Sequence, residues 1–402
     1  MKRTVVLYGT VSEDNFGFPS LMHGAEQLIH EQNPETEIVF YQRTPPQDIA
    51  VKDMGFPCLQ MPYRSIKELL LDAVFVKLGK KPKELQKQEF FDTLRRADVV
   101  ADLYGICFCD KFTKEAEQRE AYSRFRAKKN VMASFPVCAA ARILGKKIVK
   151  CPASYGTIRY DKDRKEARYA ADKFFDLMAA REKESRRQMT EEAKASAEVL
   201  LSPDLANYFK VSVPEARKKT IGISVSHQIV RQWSSQESYY DNICALVRHI
   251  LGTMDADVLL IPNETSPAAP VNDITVAQKI VSMLGETERV LLPDVRQMTS
   301  TQLKQLIAGC EVMVASRYHS CVASLSSGVP LLAIGWHYKY TELLELYKQE
   351  KWILHKGSCS STALISLFDQ LWENRVQVGR EIQENSEQVR ASLREVGKKL
   401  FF

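Results

Sequence analysis

Short apolar runs alternate with longer amphipathic stretches along this chain, a pattern that is typical of parallel α/β proteins. The β-branched run at residues 4–8 predicts a first strand, and a polar turn over 9–17 leads to a helix at 21–31. Further strands of the first half are predicted at 37–41, 98–103, 147–151, 175–180 and 198–202. Helices are expected between them, notably at 114–126 and 131–144.

The same alternation restarts near residue 219. Its predicted strands are 219–225, 257–262, 290–292, 311–315 and 331–334, and its predicted helices are 239–254, 274–284, 300–308 and 319–327. The polar segment 207–218 separates the two series. We therefore predict an α/β fold of two Rossmann-like lobes facing across a cleft, residues 1–210 and 219–375. Residues 376–402 carry a long polar helix, at 377–399, that is expected to pack back on the first lobe.

Composition agrees with a two-lobed globular protein. The chain has 402 residues, of which 45% are apolar and 26% charged, and its net charge is +6. That length suits two cores. The mildly basic balance is not that of a dedicated nucleic-acid binder, but it suits a cleft that attracts small phosphates or carboxylates.

Compartment and redox state are indicated by what the sequence lacks. No stretch approaches about 18 consecutive apolar residues, and the first residues form a strand-like run too short for a signal peptide. The nine cysteines include no Cys-x-x-Cys pair, so we expect reduced thiols in a cytoplasmic protein and no metal site. Cys107-x-Cys109 places two thiols on one side of an extended segment, where metal binding is the weaker interpretation.

Two segments, 111–129 and 159–187, are crowded with lysine and arginine. They are either solvated helix faces or a basic rim that attracts a phosphorylated or lipid-linked acceptor.

The strongest candidate for chemistry is the strand-to-helix turn Ser316-Arg317-Tyr318-His319. Arg317 has a planar fork suited to a carboxylate or phosphate, and His319 can change its charge near neutral pH. The following helix offers unpaired N–H groups, and its small residues allow a ligand to approach. From spacing alone two interpretations stay open: an anion site, or an arginine paired with a structural carboxylate.

Polar residues also follow the other predicted strands. These clusters are 105–110, 154–157, 226–227, 263–264 and 336–339. Because the carboxyl ends of parallel strands share one edge of a sheet, we expect them to line the cleft. The sequence has no Walker loop, no Gly-x-Gly-x-x-Gly, no Gly-x-Ser-x-Gly and no His-Glu-x-x-His.

With these residues in view, the chain resembles the polysaccharide pyruvyl transferase family over most of its length. The strongest signature is an Arg-aromatic-or-Leu-His turn, a small-residue helix, Gly-Val-Pro and a short strand, matched at 316–335 and followed by Trp336 and Lys339. Weaker matches, in the family's order, are Asn15-Phe16-Gly17, 97–110, Ala180-Arg181-Glu182 with Ser185, Pro203-Asp204-Leu205-Ala206, and Asp273 with Ala277.

The chain departs from the family pattern at three places. The first loop lacks Gly-Asp-Glu, the second has Ile106 and Cys107 where Gly-Asp-Ser is usual, and Ser226-His227 stand where many members carry an arginine. These differences touch the acceptor side and one anion contact.

The resemblance implies the two-lobed fold of the B-type glycosyltransferases, with the acceptor on the first lobe and the donor on the second. It implies transfer of a pyruvyl group from phosphoenolpyruvate to sugar hydroxyls of a polysaccharide or its lipid-linked precursor, forming a cyclic ketal in exopolysaccharide or cell-wall biosynthesis. Phosphoenolpyruvate and a glycan are the expected partners, with no cofactor, no metal and at most peripheral contact with the inner face of the membrane.

The resemblance also assigns roles. Arg317 contacts the phosphate or carboxylate of the donor, and His319 is the leading proton donor or phosphate contact. Lys339 is a second cationic contact, and His227 or Arg231 replaces the missing arginine. The remaining candidates are Ser320, Asn263 and Gly105, and on the acceptor side Asn15, Asp14 and Asp110.

Two other functions fit the same lobes. A nucleotide-sugar glycosyltransferase would place a diphosphate at this turn. A catalytically silent relative would bind anionic glycans without turnover.

Overall fold

The computed structural model describes residues 3–10, 15–45, 52–110, 113–115, 118, 122–212, 219–233, 238–266, 271–285 and 287–402. Asp14, the end of the segment joining the two lobes (213–218) and parts of the basic segment 111–129 lie outside these residues.

The first lobe is built on a parallel sheet of eight strands in the order β3-β2-β1-β4-β6-β7-β8, with β5 beside β6. The strands are β1 Thr4–Gly9, β2 Glu37–Gln42, β3 Cys58–Gln60, β4 Val99–Asp102, β5 Ile106–Cys107, β6 Lys147–Tyr155, β7 Leu177–Ala180 and β8 Val199–Leu201. Its helices are α1 Gly17–Gln32, α2 Ile66–Lys77, α3 Leu85–Arg96, α4 Arg124–Ser134, α5 Pro136–Ile143, α6 Asp161–Tyr169 and α7 Lys183–Arg187.

The second lobe has a parallel sheet of six strands in the order β11-β10-β9-β12-β13-β14. These are β9 Thr220–Ser224, β10 Asp257–Leu260, β11 Val290–Leu291, β12 Val312–Ala315, β13 Leu331–Gly335 and β14 Ile353–His355. The helices are α8 His227–Val230, α9 Tyr239–Thr253, α10 Asp273–Leu284, α11 Ser300–Ala308, α12 Tyr318–Ser326, α13 Tyr338–Leu346 and α14 Ser361–Phe401. Two parallel sheets confirm the predicted α/β class.

Each sheet has one point at which its strand order reverses direction. In the first lobe this point lies between β1 and β4, and in the second between β9 and β12. Open α/β sheets bind ligands outside the carboxyl ends of the strands at such a point. In the second lobe that position is the turn from β12 into α12, which contains Arg317 and His319.

Burial explains why the strands form where they do. Alternate residues of β1 point to opposite faces of its sheet, and both sets are buried: Val5 and Leu7 join one core, and Val6 and Tyr8 the other. The first of these cores continues into the second lobe and includes Val312 and Val314. The two lobes therefore share one apolar core.

Several helix boundaries differ from the prediction. The helix predicted at 131–144 is divided at Phe135, because Pro136 lacks an N–H group and starts a new helix, α5. The helix predicted at 114–126 is confirmed only at 124–126 and is wrong at the earlier described residues, since α4 begins at Arg124, after the N-cap Ser123. Residues 116–117 and 119–121 lie outside the described part.

The final helix begins 16 residues earlier than predicted and spans both lobes. Near its start, Asp369 accepts a hydrogen bond from His249 of the second lobe at 2.7 Å. Near its end, Arg394 pairs with Glu31 of α1 at 3.3 Å. No helix among the described residues is both long and apolar enough to cross a bilayer.

Candidate active site

The turn from β12 to α12 leaves the first N–H groups of a helix pointing out of the sheet. Arg317 is the N-cap residue in extended conformation, and no side chain caps the helix. These N–H groups and the helix dipole favour an anion. The hydroxyl of Ser320 is buried and forms hydrogen bonds with Ser224 at 2.8 Å and with Asn263 at 3.2 Å. Ser320 is therefore a structural residue below the turn and does not face a ligand.

Arg317 is held by carboxylates of its own lobe. Its Nε lies 2.7 Å and its Nη2 2.6 Å from the two oxygens of Asp273, and Glu264 lies 2.7 Å from Nη2. The arginine therefore pairs with a structural carboxylate, which was the second of the two interpretations of the turn. Among the described residues nothing bonds Nη1, so that edge of the guanidinium is the part left for a ligand.

Asp273 is the anchor of this side of the site. It is fully buried at the start of α10 and accepts hydrogen bonds from the backbone N–H groups of His227, Asn263 and Glu264. Burial raises the pKa of the carboxyl, but the hydrogen bond from the His227 side chain and the charge and hydrogen bonds of Arg317 outweigh it, so the pKa lies below its ordinary value. Asp273 thus remains ionised and fixes the orientation of the arginine.

His227 stands behind Arg317. Its Nδ1 lies 2.8 Å from Nη2 of the arginine and 3.2 Å from Oδ1 of Asp273, so the imidazole packs against both members of the ion pair. The imidazole therefore supports Arg317 from the side of Asp273. Arg231 is exposed at the end of α8, where its backbone N–H bonds the carbonyl of His227 at 3.2 Å.

His319 sits at the seam between the lobes with 23% of its side chain exposed. Its Nε2 is buried, lies 3.8 Å from Asp204, and has no hydrogen-bond partner among the described residues. Nδ1 faces Gly17, the first residue of α1; a Cβ at that glycine would lie within 3.0 Å of it. The imidazole is thus enclosed between the starts of two helices, α12 of its own lobe and α1 of the other.

The surroundings of His319 strongly disfavour its protonated form. Burial is the main cause; Asp204 opposes it, and the charges of Arg181, Lys339 and Arg317 add to it, which lowers the pKa to about 4. Since Arg181 and Arg317 are paired with carboxylates, Lys339 and the start of α12 are the features beside His319 that favour a bound anion.

Arg181 and Asp204 bring the first lobe into the site. Arg181 is buried, bonds Asp204 at 2.5 Å and Ser154 at 2.8 Å, and its guanidinium lies 4.8 Å from the centre of the Tyr318 ring. Neither residue was among the predicted site residues. Their only signal in the sequence is that both fall within the weaker family matches.

Lys339 enters from the start of α13. Its Nζ lies 5.1 Å from the centre of the Tyr318 ring and 5.2 Å from that of Trp336. The lysine is therefore held over aromatic faces on the same side of the site as His319.

The predicted acceptor-side residues are only partly brought together. Asn15 lies at the seam, where it pairs with Glu264 in an antiparallel bridge and accepts the Gly17 N–H at 2.8 Å. Gly105 is close to Arg181, since a Cβ atom added to this glycine would lie 3.5 Å from Nη1 of the arginine. Asp110 instead binds the backbone and side chain of Arg159, at 2.9 and 2.5 Å.

A pocket of about 590 Å³ opens at the carboxyl ends of the first sheet. Tyr104, Cys107, Asn130 and Glu166 line it, and burial raises the pKa of the Cys107 thiol to about 12. Cys107 is therefore a neutral wall of the pocket. A larger groove of about 1200 Å³ lies beside it, and Arg43 and Ile66 line both.

Two parallel α/β lobes that meet beyond the carboxyl ends of their strands, where Asn15 pairs with Glu264, have a fold like that of the B-type glycosyltransferases. The chain is similar to a protein assigned as UDP-N-acetylglucosamine 2-epimerase from Listeria monocytogenes, with a TM-score of 0.60 and 12% identity over 99% of this chain and 98% of that one. It is also similar to a glycosyltransferase from Rickettsia africae (TM-score 0.57, 9% identity, 99% and 98% covered) and to the UDP-GlcNAc 2-epimerase from Methanocaldococcus jannaschii (0.56, 10%, 92% and 92%). At such identities the likeness shows the fold alone.

Within that class the sequence identifies one family. The family model for polysaccharide pyruvyl transferase matches residues 15–338, so the chain belongs to the polysaccharide pyruvyl transferase family. Curated proteins give no significant match by sequence. Family membership supports a polysaccharide-modifying transferase.

Proposed function

We propose that this protein transfers a pyruvyl group from phosphoenolpyruvate to two hydroxyls of a sugar, in a polysaccharide or its lipid-linked precursor, and so forms a cyclic ketal. The observation that carries the proposal is the position of His319 where two helices begin, with Lys339 and the Nη1 edge of Arg317 adding positive charge to it. A small donor with both a phosphate and a carboxylate matches helix N–H groups combined with these two cations. The reaction itself requires no redox cofactor.

Arg317 and Lys339 both bind the donor in the proposed reaction, but they do so in different ways. Because Asp273 occupies Nε and Nη2 of Arg317, the arginine offers its Nη1 edge, which favours contact with one donor oxygen over a two-bond fork. Lys339 adds a point charge, and the first N–H groups of α12 face the departing phosphate.

His319 becomes a proton donor only when the donor is bound. In the unliganded protein its pKa of about 4 leaves the imidazole neutral at pH 7. A bound dianionic phosphate offsets the surrounding cations and raises that pKa, so binding prepares the acid for the chemical step.

The imidazolium protonates the methylene carbon of phosphoenolpyruvate, and the adjacent carbon becomes an oxocarbenium-like centre. One sugar hydroxyl adds to that centre and gives its proton to a base. The C–O bond to phosphate then breaks with its electron pair, a second hydroxyl closes the ring, and its proton leaves with the phosphate. The pocket lined by Tyr104 and Asn130 is the proposed place of the sugar.

The test uses one substitution and a matched control. His319→Gln keeps the size and polarity of the side chain but cannot act as an acid, so phosphate release from phosphoenolpyruvate with a glycan acceptor should fall by about 10²–10⁴-fold. His249→Gln is the control, because that histidine is also 23% exposed but lies on α9 away from the seam. Retained turnover in His319→Gln would remove the histidine from the mechanism.

Ligand choice separates this proposal from its competitors. Phosphoenolpyruvate, and not UDP- or GDP-sugars, should raise the melting temperature of the wild-type protein. Stabilisation by nucleotide sugars alone would favour a glycosyltransferase, which the B-type fold also accommodates. Stabilisation by glycans without phosphate release would indicate a silent relative.

A further inference from the structure

Helix α2 of the first lobe presents an apolar stripe to solvent. Leu71, Val74, Phe75 and Leu78 are 49%, 43%, 45% and 71% exposed. Their spacing of i, i+3, i+4 and i+7 places them on one side of the helix. The opposite side, which includes Leu69, is buried in the core, so the outer stripe is not needed to pack the helix on the lobe.

Positive charge surrounds one end of this stripe. Residues 73–83 contain no acidic residue, whereas Lys77, Lys80, Lys81 and Lys83 are all exposed. Lys80 lies with its Nζ 5.2 Å from the centre of the Phe75 ring. Apolar side chains next to a run of lysines match the boundary between the headgroups and acyl chains of an anionic membrane.

Helix α4 adds a second element of the same chemistry. Phe125 is 78% exposed, and Arg124, Arg126, Lys128 and Lys129 on the same helix are exposed too, with no acid in 122–130. Both α2 and α4 pack against α5. Helices α2 and α4 therefore belong to one helical layer of the first lobe, and we name their exposed residues the α2–α4 face.

We propose that the α2–α4 face docks on a membrane surface that carries anionic lipids. Phe75 and Leu78 enter the interface, and the lysines that follow them bind the headgroups. The charge favours this occupant over an apolar partner protein, since four lysines beside the stripe would have to be neutralised in a dry protein interface.

Docking in this orientation has a consequence for the acceptor. Ile66, the first residue of α2, lines both the pocket and the groove at the carboxyl ends of the first sheet. A lipid-linked sugar would then reach the pocket while its lipid stays in the bilayer. This consequence, unlike the docking itself, rests on the proposed function.

The test is co-sedimentation of the full chain with vesicles, without phosphoenolpyruvate or acceptor. Vesicles of phosphatidylcholine with phosphatidylglycerol should bind the protein, and vesicles of phosphatidylcholine alone should bind it more weakly. Replacing Lys80, Lys81 and Lys83 by Gln should weaken binding by about 100-fold, which corresponds to about 1 kcal/mol for each lysine. Phe75→Ser with Leu78→Ser should weaken it by about tenfold or more.

Matched controls come from the second lobe and its final helix. Gln at Lys219, Lys351 and Lys398, which are exposed, removes the same charge and should leave vesicle binding unchanged. Val376→Ser with Leu291→Ser is the apolar control, since these side chains are 60% and 45% exposed. Equal loss in the control and test variants would overturn the proposal.

The alternative occupant is a second copy of the chain. In that case sedimentation velocity would show a dimer that Phe75→Ser with Leu78→Ser converts to monomer, and anionic vesicles would not bind. That result would overturn the membrane proposal and leave the proposed reaction untouched, because no substrate enters either measurement.

Discussion

Binding of phosphoenolpyruvate should be coupled to proton uptake by His319. The pKa of this histidine is about 4 in the unliganded protein, against an ordinary value of 6.5. That gap corresponds to about 3.4 kcal/mol against the imidazolium. A unit negative charge about 4 Å away contributes about 4 kcal/mol at an effective dielectric constant of about 20. One bound charge is therefore enough to return the pKa to at least its ordinary value.

The sign and the pH window follow from these values. A pKa that rises on binding means that the complex holds more protons than the free protein, so affinity for the donor increases as the pH falls from 7 towards 5. At pH 6 about 1% of the free imidazole is charged, and about 75% is charged in a complex with the ordinary pKa. Binding should then take up about 0.7 proton per site at pH 6 and much less at pH 8.

Isothermal titration calorimetry in two buffers of different ionisation enthalpy measures this uptake. The phosphate of the ligand also titrates near pH 6, so the informative quantity is the difference between wild type and His319→Gln. A difference of about 0.7 proton at pH 6 supports the mechanism. Equal proton exchange in the two proteins would mean that His319 stays neutral in the complex, and its role as the acid would be refuted.

Three further predictions concern the frame of the site. Asp273→Asn should lower the free energy of unfolding by about 1–3 kcal/mol in urea denaturation at pH 7, because Arg317 loses its buried charged partner and keeps only Glu264, 2.7 Å from Nη2. Gly17→Ala should reduce phosphate release by at least about tenfold while costing about 1–3 kcal/mol of stability, since its methyl group would displace the neighbouring imidazole; unchanged turnover would contradict this contact. Asp53 pairs with His23 at 3.4 Å, and although partial burial opposes ionisation, the bond from His23 lowers the pKa of Asp53 to about 2. Asp53→Asn should therefore cost about 1 kcal/mol after allowance for solvent screening, a loss present above pH 4 that fades as the pH falls towards 2.

Regular elements were predictable where burial and periodicity agree. Strands β1, β9, β10 and β12 are short, almost wholly buried runs, and the sequence places each within two residues of its observed bounds. Helix α2 was not predicted, because its burial and its apolar periodicity do not agree. Because it is apolar on its buried side and also on its exposed stripe, no amphipathic pattern marks it as a helix. Strand β3 has only three residues, none of them buried.

Only the part of the site formed by residues adjacent in the sequence could be predicted. The turn with Arg317 and His319 is contiguous, so its residue types indicate an anion site directly. Asp273 stands 44 residues before Arg317 and Asp204 lies in the other lobe, and no sequence period connects such pairs. Only the three-dimensional contacts identify which carboxylate orients the arginine.

These contacts also change what the arginine can do. An arginine whose Nε and Nη2 are bound to a buried, ionised aspartate cannot grip a donor by two parallel bonds, so its contribution to affinity comes from charge and from Nη1. In the proposed reaction, the selectivity for a donor with two anionic groups would then come from the Nη1 edge of Arg317, from Lys339 and from the first N–H groups of α12. Arg181 would act indirectly, because its buried guanidinium pairs with Asp204, which lies 3.8 Å from Nε2 of His319, and so the first lobe fixes the surroundings of the proposed acid.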